Sequence, residues 1–580
     1  MLAAAAIAWS LADTAGVRHT ESELRQAPAT VFLFLSPGCP LSNAYAPEIR
    51  RLHGEFHVRG VRFLSVNRGE ALAFPDLVDP GHTLARRLGA TVTPEAVVLG
   101  RDGTRLYRGR IDDRVLALGR PRAAATRADL REALEEIVSG RPVSRPDLRA
   151  TGCAIPFPRP AGKPGPSYGR DVAPILWRHC VDCHRPGQSG PFPLLTYADA
   201  AVRAATIAQV TARRVMPPWL AEPNPEHPFA GERRLSAREI RLLRDWAEAG
   251  APEGPPPRTS PPPEPPEWRL GQPDLVVNMP QSFSIPADGP DLYQCVVVPL
   301  PLREPRHVRA YEFHPGARAS THHALLLLDS SGAARRRDAE TPGYGYPCFG
   351  VPGFLPSASL GGWTPGFTPS NYPPGAAVTI RPGMDLVMQL HYHPTGVPHS
   401  DRSSVGLYFQ ETAPTRRMMD VALGSRAIDI PPGERRYRVT DSFTLPVDVE
   451  VTGIIPHAHY LARRMRGRAV LPGGRTTTLI DIREWDFNWQ THFRYQQPFR
   501  LPADTRIEME FVYDNSESNP RNPSRPPKRV VWGPESTDEM AGLHAQVIPY
   551  SKEDAEELGR FLWGKMMREI SNPGAPRRPD

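Results

Sequence analysis

Apolar and polar positions form short blocks over the first quarter of the chain, and these blocks have the lengths of strands and helices. A run such as 30–35 (TVFLFL) is too short for an ordinary helix and is rich in β-branched and aromatic residues, which favours a buried strand. The predicted strands are 30–35, 61–66, 96–99 and 106–110, and the predicted helices are 43–53 and 82–88. Alternation of strands with helices predicts an α/β domain, which we place at residues 13–150.

A helical pattern and then a proline-rich stretch follow. Residues 235–249 (LSAREIRLLRDWAEA) read as an amphipathic helix, with Ser236 and Glu239 as a capping box. Residues 254–267 (GPPPRTSPPPEPPE) can form neither a helix nor a central strand. We predict a linker at 253–270, an extended spacer that holds the preceding domain near the following ones without merging their cores.

From residue 271 onward, alternating and apolar runs recur with turn residues between them, as in all-β sandwiches. The runs are 282–285, 293–299, 308–313, 323–328, 377–380, 386–391, 405–409, 436–445, 450–455, 468–471, 477–482, 506–513 and 530–532. A less regular stretch around 411–431 separates them into two groups. We therefore predict two β domains, at residues 271–412 and 425–575.

Length and charge narrow the class of protein. A chain of 580 residues exceeds what one hydrophobic core spans, so several domains are expected. Its 70 Lys and Arg are offset by 63 Asp and Glu, and a net charge of +7 gives no reason to expect a nucleic-acid partner. No run reaches the ~20 apolar residues of a membrane helix, so no transmembrane span is expected. The apolar segment 1–12 is typical of the end of a secretory signal that lacks its basic start.

The sequence CVDCH at 180–184 fits the C-x-x-C-H pattern for covalent attachment of haem c. Cys180 and Cys183 lie one helical turn apart and reach the two haem vinyl groups, while His184 offers a nitrogen to the iron. A structural zinc site is the alternative, but it needs two further ligands and no second cysteine pair lies in this segment. Met216, in MPPW, is the candidate sixth iron ligand, with a plain core position as the alternative.

Residues 168–252, with the motifs CHRPG, PFPLLTY and MPPW, resemble small class I cytochromes c. The resemblance implies an all-α domain at 160–252 with one haem c held by Cys180, Cys183 and His184 and with Met216 at the iron. Haem c is attached outside the cytoplasm in that family. An extracytoplasmic location, periplasmic or secreted, is therefore expected.

Cys39 stands where the strand 30–35 meets the helix 43–53, and Pro94 precedes a later strand. This order resembles the thioredoxin (redoxin) family over residues 13–145, in which the matching proline is cis. Ser42 occupies the place of the second cysteine of the family's C-x-x-C motif, so Cys39 cannot close the usual local disulfide.

A lone thiol at a helix N-terminus can have a lowered pKa and act as a nucleophile. Cys153 is then the remaining thiol that could resolve Cys39. The alternatives are a stable Cys39–Cys153 disulfide and a Cys39 that has no redox role.

Histidines cluster in the β region. His457 and His459 are one residue apart on a predicted strand, so both rings share one face. Together with Met540, in STDEM at 536–540, they form a soft ligand set that suits copper.

Farther upstream, His322, His323 and His391 offer only nitrogen, a set that zinc also accepts. His393 remains an alternative to His391, because the two share a strand face.

In order and local context these residues resemble the copper type II, ascorbate-dependent monooxygenases, the family of peptidylglycine α-hydroxylating and dopamine β-monooxygenases, over most of residues 271–548. The resemblance implies two jelly-roll-like domains, each with one copper ion across a solvent-filled cleft. It implies an electron-transfer copper at His322, His323 and His391, an oxygen-binding copper at His457, His459 and Met540, and a Cys295–Cys348 disulfide. His314, His492 and His544 are placed outside both ligand sets.

The residues at the substrate-binding positions differ from those of this family. The peptide-amidating members have an arginine where this chain has Ile455, and an Asn and a Tyr where it has Gly542 and His544. A glycine-extended peptide is therefore not the expected substrate. Trp485, Trp489 and Tyr495 are candidates for an aromatic substrate wall, with ordinary core positions as the alternative.

Two copper ions and one haem c predict a monooxygenase that hydroxylates a C–H bond of a small or unidentified organic substrate with O2. Electrons are expected from the fused haem, itself reduced by an external donor such as ascorbate or a redox protein. One alternative is a non-catalytic copper-binding or electron-transfer protein. The other is a thiol-redox protein that uses Cys39.

Overall fold

The computed structural model describes residues 9–69, 72–122, 125–157, 165–348, 352–533 and 535–571. The N-terminal domain begins with β1 (Ser10–Ala12), β2 (Arg18–Thr20) and a 3₁₀ turn (Glu21–Gln26). It continues with β3 (Ala29–Phe34), α1 (Pro40–Ala44), α2 (Ala46–His57), β4 (Arg62–Val66), β5 (Asp76–Leu77), α3 (Thr83–Leu88), β6 (Val92–Thr93), β7 (Glu95–Gly100), β8 (Arg105–Gly109), β9 (Val115–Ala117), β10 (Arg120–Pro121) and α4 (Asp129–Val138).

Its central sheet has the order β5-β4-β3-β7-β8. Strands β3, β4 and β5 run parallel, whereas β7 is antiparallel to β3, and β8 is antiparallel to β7. Alternate residues of β3 face opposite sides, so Val31 and Leu33 enter one core cluster and Phe32 and Phe34 enter another. Helices cover both faces, which explains why this strand is apolar throughout. The peptide bond before Pro94 is cis. The sheet and the helices on its faces form the α/β domain that the sequence predicted.

Part of the predicted signal segment belongs to the folded domain. Residues 1–8 lie outside the described residues, but β1 pairs antiparallel with β2. Trp9 is buried and packs edge-on against Phe32, with 5.5 Å between ring centroids. The boundary predicted at residue 12 therefore does not hold, because residues 9–12 contribute to a core and a strand pair.

Between residues 165 and 252 the regular elements are helical. A single π-helical turn (Tyr168–Val172) leads into α5 (Ala173–His179), followed by α6 (Tyr197–Ala201), α7 (Ala204–Ala212) and α8 (Ala237–Glu248). The predicted capping box of α8 is present, with Ser236 and Glu239 exchanging side-chain to backbone hydrogen bonds. Before this region, the two-residue strand β11 (Cys153–Ala154) pairs with β6 of the N-terminal domain. Residues 253–270 contain neither helix nor strand.

The first β domain contains two sheets around one core. Its elements are β12 (Leu275–Asn278), β13 (Phe283–Ile285), β14 (Leu292–Pro299), β15 (Arg306–His314), β16 (Thr321–Asp329), α9 (Ala333–Glu340), β17 (Tyr346–Pro347), β18 (Ala358–Trp363), β19 (Val378–Ile380), β20 (Asp385–Tyr392), β21 (His399–Asp401) and β22 (Ser404–Gln410). The sheet orders are β12-β22-β15-β19 and β17-β14-β20-β16-β18. Both sheets supply buried side chains to one cluster, as in a sandwich.

The second β domain repeats this plan. Its elements are β23 (Met419–Gly424), β24 (Asp429–Ile430), β25 (Tyr437–Thr444), β26 (Val449–His457), β27 (Ala462–Val470), β28 (Thr476–Ile482), β29 (Phe493–Leu501), β30 (Arg506–Tyr513), β31 (Val530–Val531), β32 (Gly542–Pro549) and α10 (Lys552–Ser571). The two main sheets, β23-β32-β26-β29 and β25-β30-β27-β28, share one core. Among the described residues, no helix combines the length and apolarity needed to cross a membrane.

The helical region and the second β domain share a core, contrary to the expectation that the linker keeps them apart. Ala221 and Phe229 are fully buried within the core of the second β domain. Each forms a β-bridge to that domain, Ala221 to Ile482 and Phe229 to Tyr495. The segment between α7 and α8 thus fastens the helical region to the β domain.

Candidate metal centres and a thiol pair

Three imidazoles converge at the edge of the first β domain. His322 and His323 begin β16, and His391 lies opposite His323 on the neighbouring strand β20. Consecutive residues of a regular strand face opposite sides, but the pairing is irregular between Thr321 and His323, which lets both rings turn to one side. One ligand atom from each of the three histidines lies within 4.8 Å of the others.

Hydrogen bonds identify which nitrogens face the centre. The Nδ1 atom of His323 lies 3.3 Å from Nδ1 of His322 and 3.3 Å from Nδ1 of His391. On the outer side, Nε2 of His322 lies 2.8 Å from the carbonyl oxygen of Asn488, and Nε2 of His391 lies 2.7 Å from a carboxylate oxygen of Asp291. Both Nε2 atoms therefore carry the proton, and the Nδ1 lone pairs are directed inward.

Asp291 also resolves the choice between His391 and His393. Its second oxygen lies 2.7 Å from Nδ1 of His393, whose side chain is 58% exposed, whereas His391 is 1% exposed. Burial would raise the pKa of Asp291, but the hydrogen bonds from both imidazoles outweigh it and hold the pKa well below its usual value. His391 thus belongs to the cluster, and His393 supports Asp291 from outside.

Two of the three cluster histidines, His322 and His323, have lowered pKa values that favour the unprotonated state required for metal ligation. Burial is the main cause that lowers the pKa of His322, to about 3. Burial also lowers the pKa of His323, with further contributions from the charges of His391, His322 and, across the domain boundary, His457. The two histidine groups are therefore close enough to interact electrostatically.

The second group lies at the end of β26. His457 is the last residue of that strand, and His459 follows in the loop. The sequence placed both histidines on the strand, and the structure places only His457 there. The rings still meet, with centroids 5.3 Å apart and planes at 87°. Nδ1 of His457 lies 2.6 Å from the side-chain oxygen of Gln490, and Nδ1 of His459 lies 3.2 Å from the carbonyl oxygen of Asp538. Both therefore present Nε2 as the ligand atom. Burial lowers the pKa of His459 to about 3.

Glu539 ties Met540 to this pair of histidines. Its fully buried carboxylate accepts hydrogen bonds from the backbone N–H groups of His459 (3.0 Å), Leu461 (2.6 Å) and Met540 (3.2 Å). Tyr513 adds a hydrogen bond to the carbonyl oxygen of Met540 at 2.7 Å. The loop that carries Met540 is thus fastened to the loop that carries His459.

The remaining histidines and aromatic residues take other positions. His314 stacks on Trp268 and His492 is half-buried beside Gly453, while His544 lies on β32 close to His457 and helps to lower its pKa. Trp485 and Tyr495 are core residues rather than substrate walls. The indole N–H of Trp485 donates to the carbonyl oxygen of His459 at 3.1 Å, so it supports the metal-binding loop. Trp489 alone of the three candidates borders the large cavity described next.

The C-x-x-C-H motif and the three-histidine cluster open onto the same cavity, whose volume is about 1200 Å³. Its lining includes Cys180, Cys183, His184 and Met216 together with His322, His391 and His393. Nδ1 of His184 lies 2.9 Å from the carbonyl oxygen of Phe192, which leaves Nε2 as its ligand atom. Burial raises the pKa of Cys180 to about 12. Two thiols, an imidazole nitrogen and a thioether in the lining of one cavity are a donor set that fits a covalent haem.

A disulfide joins Cys295 to Cys348, with 5.7 Å between the Cα atoms. The other two cysteines outside the C-x-x-C-H motif lie next to each other. Cys39 caps α1 and is 1% exposed, and its sulfur lies 2.7 Å from that of Cys153 on β11. The structure therefore brings together both thiols that the sequence singled out.

Sequence reasoning missed the supporting residues Asp291, Asn488, Gln490 and Glu539. Only Glu539 carried a signal, since it precedes Met540 within the STDEM motif. Asn488 and Asp538 act through backbone carbonyl groups, which no residue type reveals.

No protein-family model and no curated protein matches the chain. Similar solved structures include a hypothetical protein from Sinorhizobium meliloti 1021, at 25% identity over 26% of this chain and 92% of that one, with a TM-score of 0.24. An exposed lipoprotein thioredoxin from Streptococcus pneumoniae strain TIGR4 is 17% identical over 17% of this chain and 87% of its own, with a TM-score of 0.16. The thioredoxin domain of a thiol-disulfide oxidoreductase from Bacteroides vulgatus is 11% identical over 18% and 85%, with a TM-score of 0.17.

Proposed function

We propose that the chain is an extracytoplasmic, copper-dependent monooxygenase that hydroxylates a C–H bond of a small organic substrate with O2. The convergence of three inward-facing Nδ1 atoms at His322, His323 and His391, within electrostatic reach of His457, carries this proposal. Copper, when bound, supplies oxygen activation and one-electron transfer at these two sites.

The two donor sets differ in a way that suits two roles. Three nitrogens form a site suited to storing an electron, and Asn488 and Asp291 fix the tautomers of two of them, His322 and His391. His457 and His459 offer two Nε2 atoms, and the thioether of Met540, whose loop is joined to that of His459 through Glu539, would make that set softer. Zinc fits the three-nitrogen set as well, but the methionine favours copper at the other one.

A haem c bound at Cys180, Cys183 and His184 would supply electrons from an external donor, either ascorbate or a redox protein. This part of the proposal is supported by the cavity that Cys180 and His391 share. Arg233, Arg269 and Arg318 also border the cavity and suit the two haem carboxylates. Trp489 and Phe487, at the same cavity, offer aromatic faces on which an apolar or aromatic substrate would pack.

The experiment is oxygen uptake by the haem- and copper-loaded chain with ascorbate and a panel of apolar and aromatic C–H substrates, with product masses measured. We expect substrate-dependent uptake and a product that gains one oxygen atom. Met540→Ala should abolish both while the three-histidine site keeps its copper, whereas Met566→Ala, on the exposed face of α10, should change neither. Copper binding without substrate-dependent uptake would instead favour a copper-binding or electron-transfer protein.

A further inference from the structure

Cys39 and Cys153 meet across a domain boundary. Cys39 belongs to the thioredoxin-like domain, whereas Cys153 lies on β11, in the segment that leads to the helical region. β11 pairs antiparallel with β6, and Cys153 stands opposite Thr93. The sulfur of Cys39 lies 3.0 Å from the carbonyl oxygen of Thr93 and 2.7 Å from the sulfur of Cys153. The strand pairing is therefore what brings the two thiols together.

The fit of this segment depends on a glycine. A Cβ atom at Gly152 would lie 2.3 Å from the carbonyl oxygen of Thr93, so no other residue allows this approach of the two backbones. Ile155 is buried, and its N–H donates to the carbonyl oxygen of Thr91 at 3.0 Å. Residues 152–155 thus occupy the edge beside Cys39 as an added strand.

The helical region closes the site from the other side. Arg203 lies against Gly38, with a guanidinium nitrogen 2.7 Å from the position that a Cβ atom would take there. The same guanidinium stacks over the ring of Phe192 at 4.5 Å. The remaining space is a small cavity of about 140 Å³, bordered by Cys39, Cys153 and Arg203.

We propose that Cys39 and Cys153 form a redox centre that exchanges with low-molecular-weight disulfides and dithiols, and that its oxidation locks the thioredoxin-like domain covalently to the segment before the helical region. The small cavity admits a compact thiol. The neighbouring strand edge, which an extended protein substrate would need, is already filled by residues 152–155. This centre is independent of the copper sites.

The protonation state suits the exchange. Burial would raise the pKa of Cys39, but hydrogen bonds from Cys153 and from the backbone of Ser42 outweigh it and lower the pKa to about 6. The hydrogen bond to Cys39, followed by burial, raises the pKa of Cys153. The two sulfurs therefore share one proton, with Cys39 as the thiolate and attacking group.

An external disulfide, R–S–S–R, oxidises the two thiols in two exchange steps. The Cys39 thiolate attacks one sulfur, a Cys39–S–S–R bond forms, and RS⁻ leaves and takes a proton from solvent. Cys153 then loses its proton and attacks the Cys39 sulfur, which forms the Cys39–Cys153 disulfide and releases the second RSH. Two thiols lose two electrons in total, and R–S–S–R gains them. An external dithiol reverses the sequence.

The first test equilibrates the full haem-loaded chain with reduced and oxidised glutathione at graded ratios, traps free thiols by alkylation and quantifies peptides by mass spectrometry. We expect one two-electron transition in which Cys39 and Cys153 oxidise together into a single cross-linked peptide. The Cys295–Cys348 disulfide should stay closed throughout and serves as the internal control. Absence of the cross-link at every ratio, or separate oxidation of the two thiols, would overturn the proposal.

The second test uses Gly152→Val, which removes the close approach but keeps both thiols, with Gly54→Ala as the matched control because nothing lies within 4 Å of that Cβ position. We expect Gly152→Val to shift the glutathione equilibrium toward the dithiol by at least about tenfold, because the effective concentration of Cys153 at Cys39 falls.

The same pair tests the substrate class. Gly152→Val should also let Cys39 form a mixed disulfide with insulin, a protein disulfide, whereas Cys39 of the wild-type chain and of Gly54→Ala should react only with the small disulfide. A mixed disulfide of insulin with the wild-type chain would show that residues 152–155 do not exclude proteins and would overturn that part of the proposal.

Discussion

Asp291 determines the orientation of the three-histidine cluster, although it would not bind the metal itself. Its carboxylate accepts hydrogen bonds from His391 and His393, and this fixes the proton of His391 on Nε2. Loss of such a supporting carboxylate typically weakens metal affinity by about 10–100-fold. We expect Asp291→Asn to lower copper affinity at this site within that range, measured by competition with a Cu(I) chelator. Glu304→Gln, at an exposed carboxylate, is the control.

The same measurement of copper affinity distinguishes His391, on β20, from His393, which follows that strand. His391→Ala should remove copper from the cluster, because it deletes an inward Nδ1 atom. His393→Ala should retain most of it, since that ring is exposed and its hydrogen bond goes to Asp291 rather than to the cluster. Equal losses in both variants would contradict the assignment of His391.

The lowered pKa of the Cys39 thiol can be tested through the pH dependence of its alkylation rate. Its pKa is lowered to about 6, so the reactive thiolate already predominates at pH 7. We expect the alkylation rate of Cys39 in the reduced chain to rise between about pH 5 and 7 and then level off. An ordinary thiol would keep gaining reactivity up to about pH 9. A rate that climbs steadily through pH 8 would contradict the lowered pKa.

At the residue scale, sequence identified the side chains that carry distinctive chemistry. Two histidines one or two residues apart, a C-x-x-C-H motif and a lone cysteine before a helix are visible in the sequence itself. The role of Asn488 is not visible in the sequence, because this residue acts through its backbone carbonyl group. The role of Trp485 was ambiguous, because an indole suits a core position and a cavity wall equally. Side-chain type predicts ligands, whereas support by backbone groups depends on how distant loops meet.

Among the elements, the segment between α7 and α8 contributes to the core of the second β domain, although it lies within the helical region of the sequence. Phe229 is 1% exposed and packs with Phe493 and Tyr495 inside the second β domain. Truncation of a buried phenylalanine costs about 3–5 kcal/mol because it leaves a cavity. We expect Phe229→Ala to destabilise the second β domain by that order, measured by hydrogen exchange of the amides of β26 and β29.

Phe561→Ala is the control for that prediction, since Phe561 is 51% exposed on α10. A Phe229→Ala effect restricted to the helices α5 to α8 would show that the segment does not stabilise the β domain.

Several strands with steady apolar alternation were predicted well, whereas strands interrupted by Gly or Pro were missed. Sequence analysis located β26, β28 and β30 to within a residue or two, because each keeps alternate residues in the core. It missed β18 and β29 at sheet edges, and it also missed the central strand β32. Gly361 and Gly362 interrupt the first and Pro498 the second, and these residues are tolerated at edges but weaken the pattern.

For the whole molecule, sequence gave the order of the domains but not how they face one another. The polyproline linker suggested a spacer, yet Arg185 donates to the carbonyl oxygens of Pro262 and Pro263, which holds the linker against the helical region. His322 contacts Asn488 of the other β domain, so the two β domains also meet at the metal cluster. Contacts between distant segments leave no periodic signal, which is why the shared cavity was not foreseen.

That cavity leads to the final prediction, because residues of the haem motif and of the three-histidine cluster border one space. In the chain loaded with haem and copper, the reduced haem should re-oxidise under O2 faster than in the same chain stripped of copper by a chelator. His391→Ala should fall to the rate of the copper-free chain, and His393→Ala should keep the fast rate, as followed by haem absorbance in a stopped-flow experiment. Since both histidines border the cavity but only His391 presents Nδ1 to the cluster, this pair separates an effect of the cavity wall from an effect of the metal site. Equal rates in all four samples would mean that electrons do not pass from the haem side to the histidine side.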